Sequence, residues 1–280
     1  MDKKCISTNI LLDNILYEFQ NFHQVEAIAI GGSTSAQTSD DTSDIDVYVF
    51  VEKDIPVLNR ENIIKKYSTN YEVGGEYFGA GDEFFADKLN RQLDIMYWNT
   101  NWFESITENV WFKHYPSNGY TTAFLFTLKN FKIIFDKNNW LLSLQNSINT
   151  PYPKELKQNI ISRNMMLMND KPFASYYEQI EKATKRNDIV SINHRISAYL
   201  ASYFDVIFAI NELLHPGEKR LIQYAKNNCK TLPENFEENI NELLLKPDSE
   251  KIALLNDMFK KLKKLFMLKK MLIPKMIFLI

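Results

Sequence analysis

Cysteine is scarce in this sequence. Its two cysteines, Cys5 and Cys229, stand too far apart in the chain to make a metal or redox motif. Histidine is nearly as thin. His23, His114 and His194 show no ligand-like spacing and read as polar core or surface positions, and Arg186 and His194 are not spaced as an Arg/His ribonuclease would need. No apolar run reaches the roughly 20 residues a membrane helix requires. Met1-Asp2-Lys3-Lys4 leads into an amphipathic pattern rather than a signal-peptide core. These absences predict a reducing, cytoplasmic setting without a membrane span. Global charge is also missing: 33 basic residues against 35 acidic ones leave −2, so nothing in the total announces nucleic acid.

What is present is unevenly distributed. Residues 31–110 hold fifteen acids and six bases, whereas 251–280 hold eight lysines and one aspartate. At 280 residues and 45% hydrophobic content the chain is long enough for two domains, an acidic one followed by one with a basic tail.

The first half is organised around Ile30-Gly31-Gly32-Ser33 and the later Asp44-Ile45-Asp46-Val47-Tyr48-Val49-Phe50-Val51. In the second piece Ile45, Val47, Val49 and Val51 alternate with Asp44, Asp46, Tyr48 and Phe50, the period of a strand. Asp44 and Asp46 therefore share a face roughly 6.7 Å apart. Two like charges so close favour a hard cation held by oxygen ligands. The Gly-Gly-Ser follows the apolar run Val25 to Ile30, where glycines bring backbone N–H groups close to an anion and Ser33 adds a hydroxyl.

This combination resembles the signature of the DNA polymerase beta-like nucleotidyltransferase superfamily. The resemblance covers residues 25 to 98 and implies that Asp44 and Asp46 bind Mg2+, one or two ions. It also implies that Gly32 and Ser33 hold the triphosphate of ATP or another NTP, and that a third carboxylate comes from a later strand. The matching residue is Asp94, in the alternating Arg91-Gln92-Leu93-Asp94-Ile95-Met96-Tyr97-Trp98. Asp44, Asp46 and Asp94 are thus the expected catalytic and metal-binding residues. One departure stands out: where many relatives carry an arginine after the Gly-Ser, this chain has Ala36 and Gln37.

Along the rest of the chain, residues 8 to 22 and 59 to 67 read as helices, and Tyr71 to Phe78 and Gln92 to Trp98 as an antiparallel strand pair. The glycines at 74, 75, 79 and 81 mark a flexible hairpin between those strands, not a dinucleotide fingerprint. Glu76, Asp82 and Glu83 read as solvated positions of that hairpin, with contact to a substrate amine or service as a base as the functional alternative. Residues 102–114, 120–130 and 137–148 read as helical, 132–135 as a short strand, and Thr150-Pro151-Tyr152-Pro153 as the clearest break. From 154 onward the pattern is helical, with the long central stretch 188–214 carrying aliphatic and aromatic residues at spacings of three and four. The expected architecture is an α/β (α+β) nucleotidyltransferase domain over 1–145, a mixed sheet flanked by helices. An all-α helical bundle is expected over 146–280.

His215-Pro216-Gly217-Glu218-Lys219-Arg220 breaks the helical half and predicts Lys219 and Arg220 in the first turn of the next helix. Lys219 is the candidate phosphate contact that replaces the missing arginine, with a solvated charge at an exposed helix start as the alternative. The tail from Lys260 reads as a cap on the bundle, with a position on an anionic membrane as the alternative, because Pro274 breaks a single amphipathic helix.

The resemblance implies transfer of a nucleoside monophosphate from an NTP, with release of pyrophosphate, to a hydroxyl of a small molecule. The order and size of the parts resemble the bacterial antibiotic nucleotidyltransferases, whose cationic aminoglycosides would suit an acidic catalytic half. The alternatives are a protein or RNA acceptor, including a toxin–antitoxin transferase, which the basic tail favours, and a catalytically silent nucleotide-binding module.

Overall fold

The structure is a computed structural model that describes residues 10–31, 44–77, 79–170 and 174–268. The chain divides into two compact units, Met1–Glu108 with Thr127–Thr150 and Asn109–Phe126 with Pro151–Ile280. It therefore enters the helical unit at Asn109, returns to the first unit for Thr127–Thr150, and leaves again at the proline-rich break.

The first unit is built on β1 (Val25–Ile30), β2 (Ile45–Val51), β3 (Tyr71–Gly75), β4 (Gly81–Ala86), β5 (Arg91–Asn99) and β6 (Lys132–Asp136). They lie in the order β3-β4-β5-β2-β1-β6, with β2 and β5 parallel and every other neighbour antiparallel. One face is dry. Ile45, Val47, Val49 and Val51 of β2 join Leu93 and Ile95 of β5 and Phe84 of β4 in a core. It is closed by Leu12, Ile15, Leu16 and Phe19 of α1 (Ile10–Gln20) and Ile63 and Ile64 of α2 (Val57–Ile64). Helix α1 serves because its apolar residues recur at three and four and so present one stripe to the sheet.

Because strand side chains alternate, the residues between those core positions face the other way. On that second face Phe50 and Trp98 meet Phe131 and Phe103, the last from α3 (Thr100–Thr107), and Phe50 meets Trp140 of α5 (Trp140–Ser147). The segment expected as one helix over 102–114 is α3 followed by a π-helical turn at Glu108–Phe112. Helix α4 (Ala123–Asn130) leads into β6.

Residues Gly81 to Ala86 correct the expectation of a flexible hairpin between two paired strands. They are a strand, and β4 separates β3 from β5, which do not pair. The reason is period two: Asp82, Phe84 and Ala86 are buried while Glu83 and Phe85 point outward.

The second unit is all helical and contains α6 (Lys154–Met165), α7 (Tyr176–Lys185), α8 (Ile189–Ile210), α9 (Leu221–Asn228), α10 (Phe236–Leu245) and α11 (Asp248–Leu268). Asp188 caps α8 by accepting from the Ser191 N–H at 3.1 Å. Buried Tyr199, Tyr203, Phe204 and Phe208 line α8, and the Tyr199 hydroxyl donates to the Leu255 carbonyl on α11 at 3.1 Å. None of the described helices is long and apolar enough to cross a membrane.

Polar contacts explain why 109–126 belongs with the helices. The buried Asp205 carboxylate on α8 accepts from the Thr121 N–H at 3.1 Å, the Thr121 hydroxyl at 2.6 Å and Asn164 Nδ2 at 3.1 Å. Asn164 in turn accepts from the Gly119 N–H at 3.0 Å. Burial pushes the Asp205 carboxyl up to about 7, against the lowering pull of Thr121 and Asn164. An unfolded aspartate titrates near 3.9. The native chain thus keeps a proton that the unfolded chain releases, so this contribution to stability is full below about pH 4 and lost as pH rises to about 7. Asp205→Asn is expected to flatten stability across that window. Denaturant midpoints measured from pH 4 to 8 check it; an unchanged slope would place the titration elsewhere.

Candidate functional site

The second face of the sheet carries a row of carboxylates. In the parallel pair β2/β5, Asp46 stands directly beside Asp94. In the antiparallel pair β4/β5, Glu83 stands opposite Asp94, and in β3/β4, Glu72 stands opposite Glu83. Direct neighbours in register project from the same face. Glu72, Glu83, Asp94 and Asp46 therefore form one rung across four strands, about 14 Å from end to end at about 4.8 Å per strand. Asp44, two residues before Asp46, lies on the same face.

The charges are felt along the rung. The Glu83 carboxyl is raised, first by desolvation and then by the negative charges of Asp94, Glu72 and Asp44. Asp94 Oδ1 accepts from Gln92 Nε2 at 2.8 Å, which fixes its side chain along β5. This donor set, all carboxylate oxygen, matches a hard divalent cation such as Mg2+. As the side chains stand, no three acidic, histidine or cysteine groups among the described residues converge closely enough to hold an ion. The rung supplies the oxygen donors that such an ion prefers.

Beside the rung the sheet turns aromatic. Tyr48, two residues past Asp46, meets Trp98 and Phe131 edge-on at ring distances of 4.7 and 4.8 Å. Burial, with the nearby Asp46 charge, holds its phenol well above the ordinary range. The same ring explains Gly31: a Cβ there would lie 2.5 Å from Tyr48 Cε2 and 3.3 Å from Phe131. The Gly31 N–H also donates to the Asp46 carbonyl at 2.9 Å, so close approach here sets the path of the chain as it leaves β1 beside the aspartate. Gly31→Ala is expected to destabilise by about 1–3 kcal/mol through overpacking, read as a lower urea midpoint. The loss should shrink in a Tyr48→Leu background, and an equal loss there would rule out the Tyr48 contact as its cause.

Asp44, Asp46 and Asp94 thus lie together on adjacent strands. Gly32 and Ser33 lie outside the described residues. Lys219 belongs to the helical unit, exposed in the turn before α9, and it does not sit in a helical first turn: α9 begins at Leu221, with Arg220 in the left-handed region at φ 54° as its N-cap. The extended turn after Pro216 and Gly217 delays the helix by a few residues.

Asp82 also departs from the solvated position expected of it. It is buried on the opposite face of β4 and accepts from Arg60 Nη1 at 2.7 Å, the Gly74 N–H at 2.9 Å and the Tyr97 hydroxyl at 2.7 Å. Those partners leave it no part in the acidic rung. Sequence reasoning missed Glu72, although Tyr71-Glu72-Val73 carries the signal: a charged residue between two apolar ones at strand spacing.

A family model described as a domain of unknown function, DUF4037, matches residues 119–221, less than half of the chain and wholly C-terminal to the three aspartates. No curated protein matches the sequence. Its structural neighbours include a nucleotidyltransferase-like protein from Exiguobacterium sibiricum 255-15, at 10% identity over 91% of this chain and 73% of that one, TM-score 0.46. Spectinomycin adenyltransferase AAD(9) from Enterococcus faecialis, solved with ATP and spectinomycin, is similar at 13% identity over 89% and 98%, TM-score 0.29. A STING-associated CdnE c-di-GMP synthase from Capnocytophaga granulosa is similar at 14% identity over 93% and 80%, TM-score 0.25. At those TM-scores the reading of the site rests on this chain's own strand register.

Proposed function

We propose that this chain is a divalent-metal-dependent nucleotidyltransferase that moves a nucleoside monophosphate from an NTP such as ATP to a hydroxyl of a small, cationic acceptor of the aminoglycoside type. The observation that supports it is the register of β2 against β5, which sets Asp46 beside Asp94 with Asp44 on the same face. Those three carboxylates are the residues that would hold Mg2+. When bound, the ion would neutralise the triphosphate and lower the pKa of an acceptor hydroxyl.

The chain's own groups account for the rest of the proposal. Asp94 would take the proton of the acceptor hydroxyl as its oxygen bonds to the α-phosphorus and pyrophosphate leaves. Gly32 and Ser33 would donate to the phosphates. Glu83 and Glu72 extend the negative face beyond the aspartates, and that extension favours an acceptor carrying ammonium groups over a neutral one.

The test is incubation with labelled ATP, GTP, CTP and UTP, with and without Mg2+, across aminoglycosides, lincosamides, tRNA and cell lysate. Metal-dependent label on a cationic small molecule supports the full reading. Label on RNA or protein would keep nucleotidyl transfer and replace the acceptor, and no label with any acceptor would count against catalysis.

A further inference from the structure

Strand β5 carries a second polar residue on the acidic face. Gln92 lies two residues before Asp94, so period two puts both side chains on the same side of the sheet, while Leu93 between them belongs to the buried core. Both residues are half-buried. The Gln92 amide nitrogen donates to Asp94 Oδ1 at 2.8 Å. A carboxylate only accepts, so the contact needs the NH2 end of the amide and is lost with any side chain that has no donor.

Asp94 is the member of the rung for which such a contact matters most. It has an acid on each side, Asp46 on β2 and Glu83 on β4, each one strand away at about 4.8 Å. Like charges at that spacing push its side chain toward any rotamer that widens the gap. A hydrogen bond from the same strand opposes that swing. The donor is also neutral. A lysine or arginine in its place would hold the carboxylate but would bring a positive charge that competes with a divalent ion for it. An amide leaves the negative charge intact, and a carboxylate with about four lone-pair sites on two oxygens can accept one hydrogen bond and still ligate.

The fold draws on other residues of this strand. Leu93 and Ile95 fill the core, and Tyr97 donates to the buried Asp82, whereas the Gln92 side chain is directed to Asp94. Among the described residues no three acids converge closely enough as they stand to hold an ion. Drawing them together costs side-chain freedom, and an Asp94 already ordered by Gln92 has less of it to lose.

We propose that Gln92 is a positioning residue for the metal site: its amide orders the Asp94 carboxylate on the face shared with Asp44 and Asp46, and so raises the affinity of that set for a divalent ion. The proposal rests on the reading of those three aspartates as metal ligands.

Mn2+ titrated into the full chain, with free Mn2+ read by electron paramagnetic resonance, tests it. Gln92→Met keeps the length of the side chain and removes the donor. It is expected to weaken Mn2+ binding by about 10- to 100-fold, the usual cost of losing the partner of a ligating carboxylate, with the parent's melting temperature when no metal is added. Gln92→Val, which favours a strand and likewise lacks a donor, should lose as much. A parent that binds no Mn2+, or that binds it equally well after Asp46→Asn, would overturn the metal reading and this proposal with it. Asp46-dependent binding that both Gln92 variants retain at full strength would overturn the proposal alone. Tighter binding by the variants would do the same, because the amide would then be keeping Asp94 from the ion. So would a loss of affinity that comes with a lower melting temperature, which a packing defect produces.

Discussion

Asp46→Asn is expected to abolish metal-dependent transfer from NTP while leaving the protein at least as stable as the parent. The activity loss follows from the position of Asp46 beside Asp94 on the parallel strand pair. Removing one carboxylate from a donor set forfeits several kcal/mol of charge stabilisation, about a 1000-fold fall in kcat. Stability should move the other way, because Asp46 sets a second negative charge directly beside Asp94 on a face that also carries Glu83 and Glu72. One fewer negative charge relieves that repulsion. Asp44→Asn should behave alike, and a carboxylate that merely shaped the fold would lose stability and activity together.

A second readout needs no acceptor. Mg2+ bound to the native state alone stabilises by about 2.7 kcal/mol at 100 times its dissociation constant. Added Mg2+ should therefore raise the melting temperature of the parent and not of Asp46→Asn. Equal shifts in both would remove the metal from these residues, whatever the transfer assay shows.

Much of this site is legible in sequence because the strand period does two jobs at once. In Ile45 to Val51 and again in Leu93 to Tyr97, the β-branched and large apolar residues declare the buried face, and the aspartates between them are thereby assigned to the other one. What alternation within one strand cannot supply is which strands are neighbours. That Asp94 stands beside Asp46, and Glu83 beside Asp94, is a property of the strand order. The expected pairing of β3 with β5 failed on that point.

Gly79 and Gly81, just before Asp82 and Glu83, carry the signal of a loop, although Phe84 and Ala86 carry the period of a strand. The glycines do have a local reason. Gly79 adopts φ 114° at the turn, and a Cβ on Gly81 would lie 3.2 Å from the Ile95 carbonyl of the neighbouring strand. Turn chemistry and strand chemistry overlap there within three residues. The same overlap hid Asp82, because a charged residue next to glycine usually marks solvent, and its partner Arg60 comes from a helix 22 residues earlier.

Arg60→Met is expected to be the most destabilising single change outside the apolar core, by about 3–5 kcal/mol, because it strands a buried carboxylate. The Arg60 and Asp82 side chains are only 8% and 0% exposed, and the guanidinium also sits 4.4 Å from the centre of the Tyr97 ring. Tyr97 and Gly74 would still donate to Asp82, but neither brings a compensating charge. The double variant Arg60→Met with Asp82→Leu removes both charges and should recover most of the loss, since a buried ion pair exchanged for apolar groups of similar size is often neutral. Denaturant midpoints for the two single variants and the double one close the cycle. The consequence reaches the site, because Asp82 is the residue before Glu83 on β4: an anchor on one face of the strand holds the acid on the other. Transfer by the double variant should then match the parent if packing alone sets β4, and should fall if the three hydrogen bonds to Asp82 also fix where Glu83 stands.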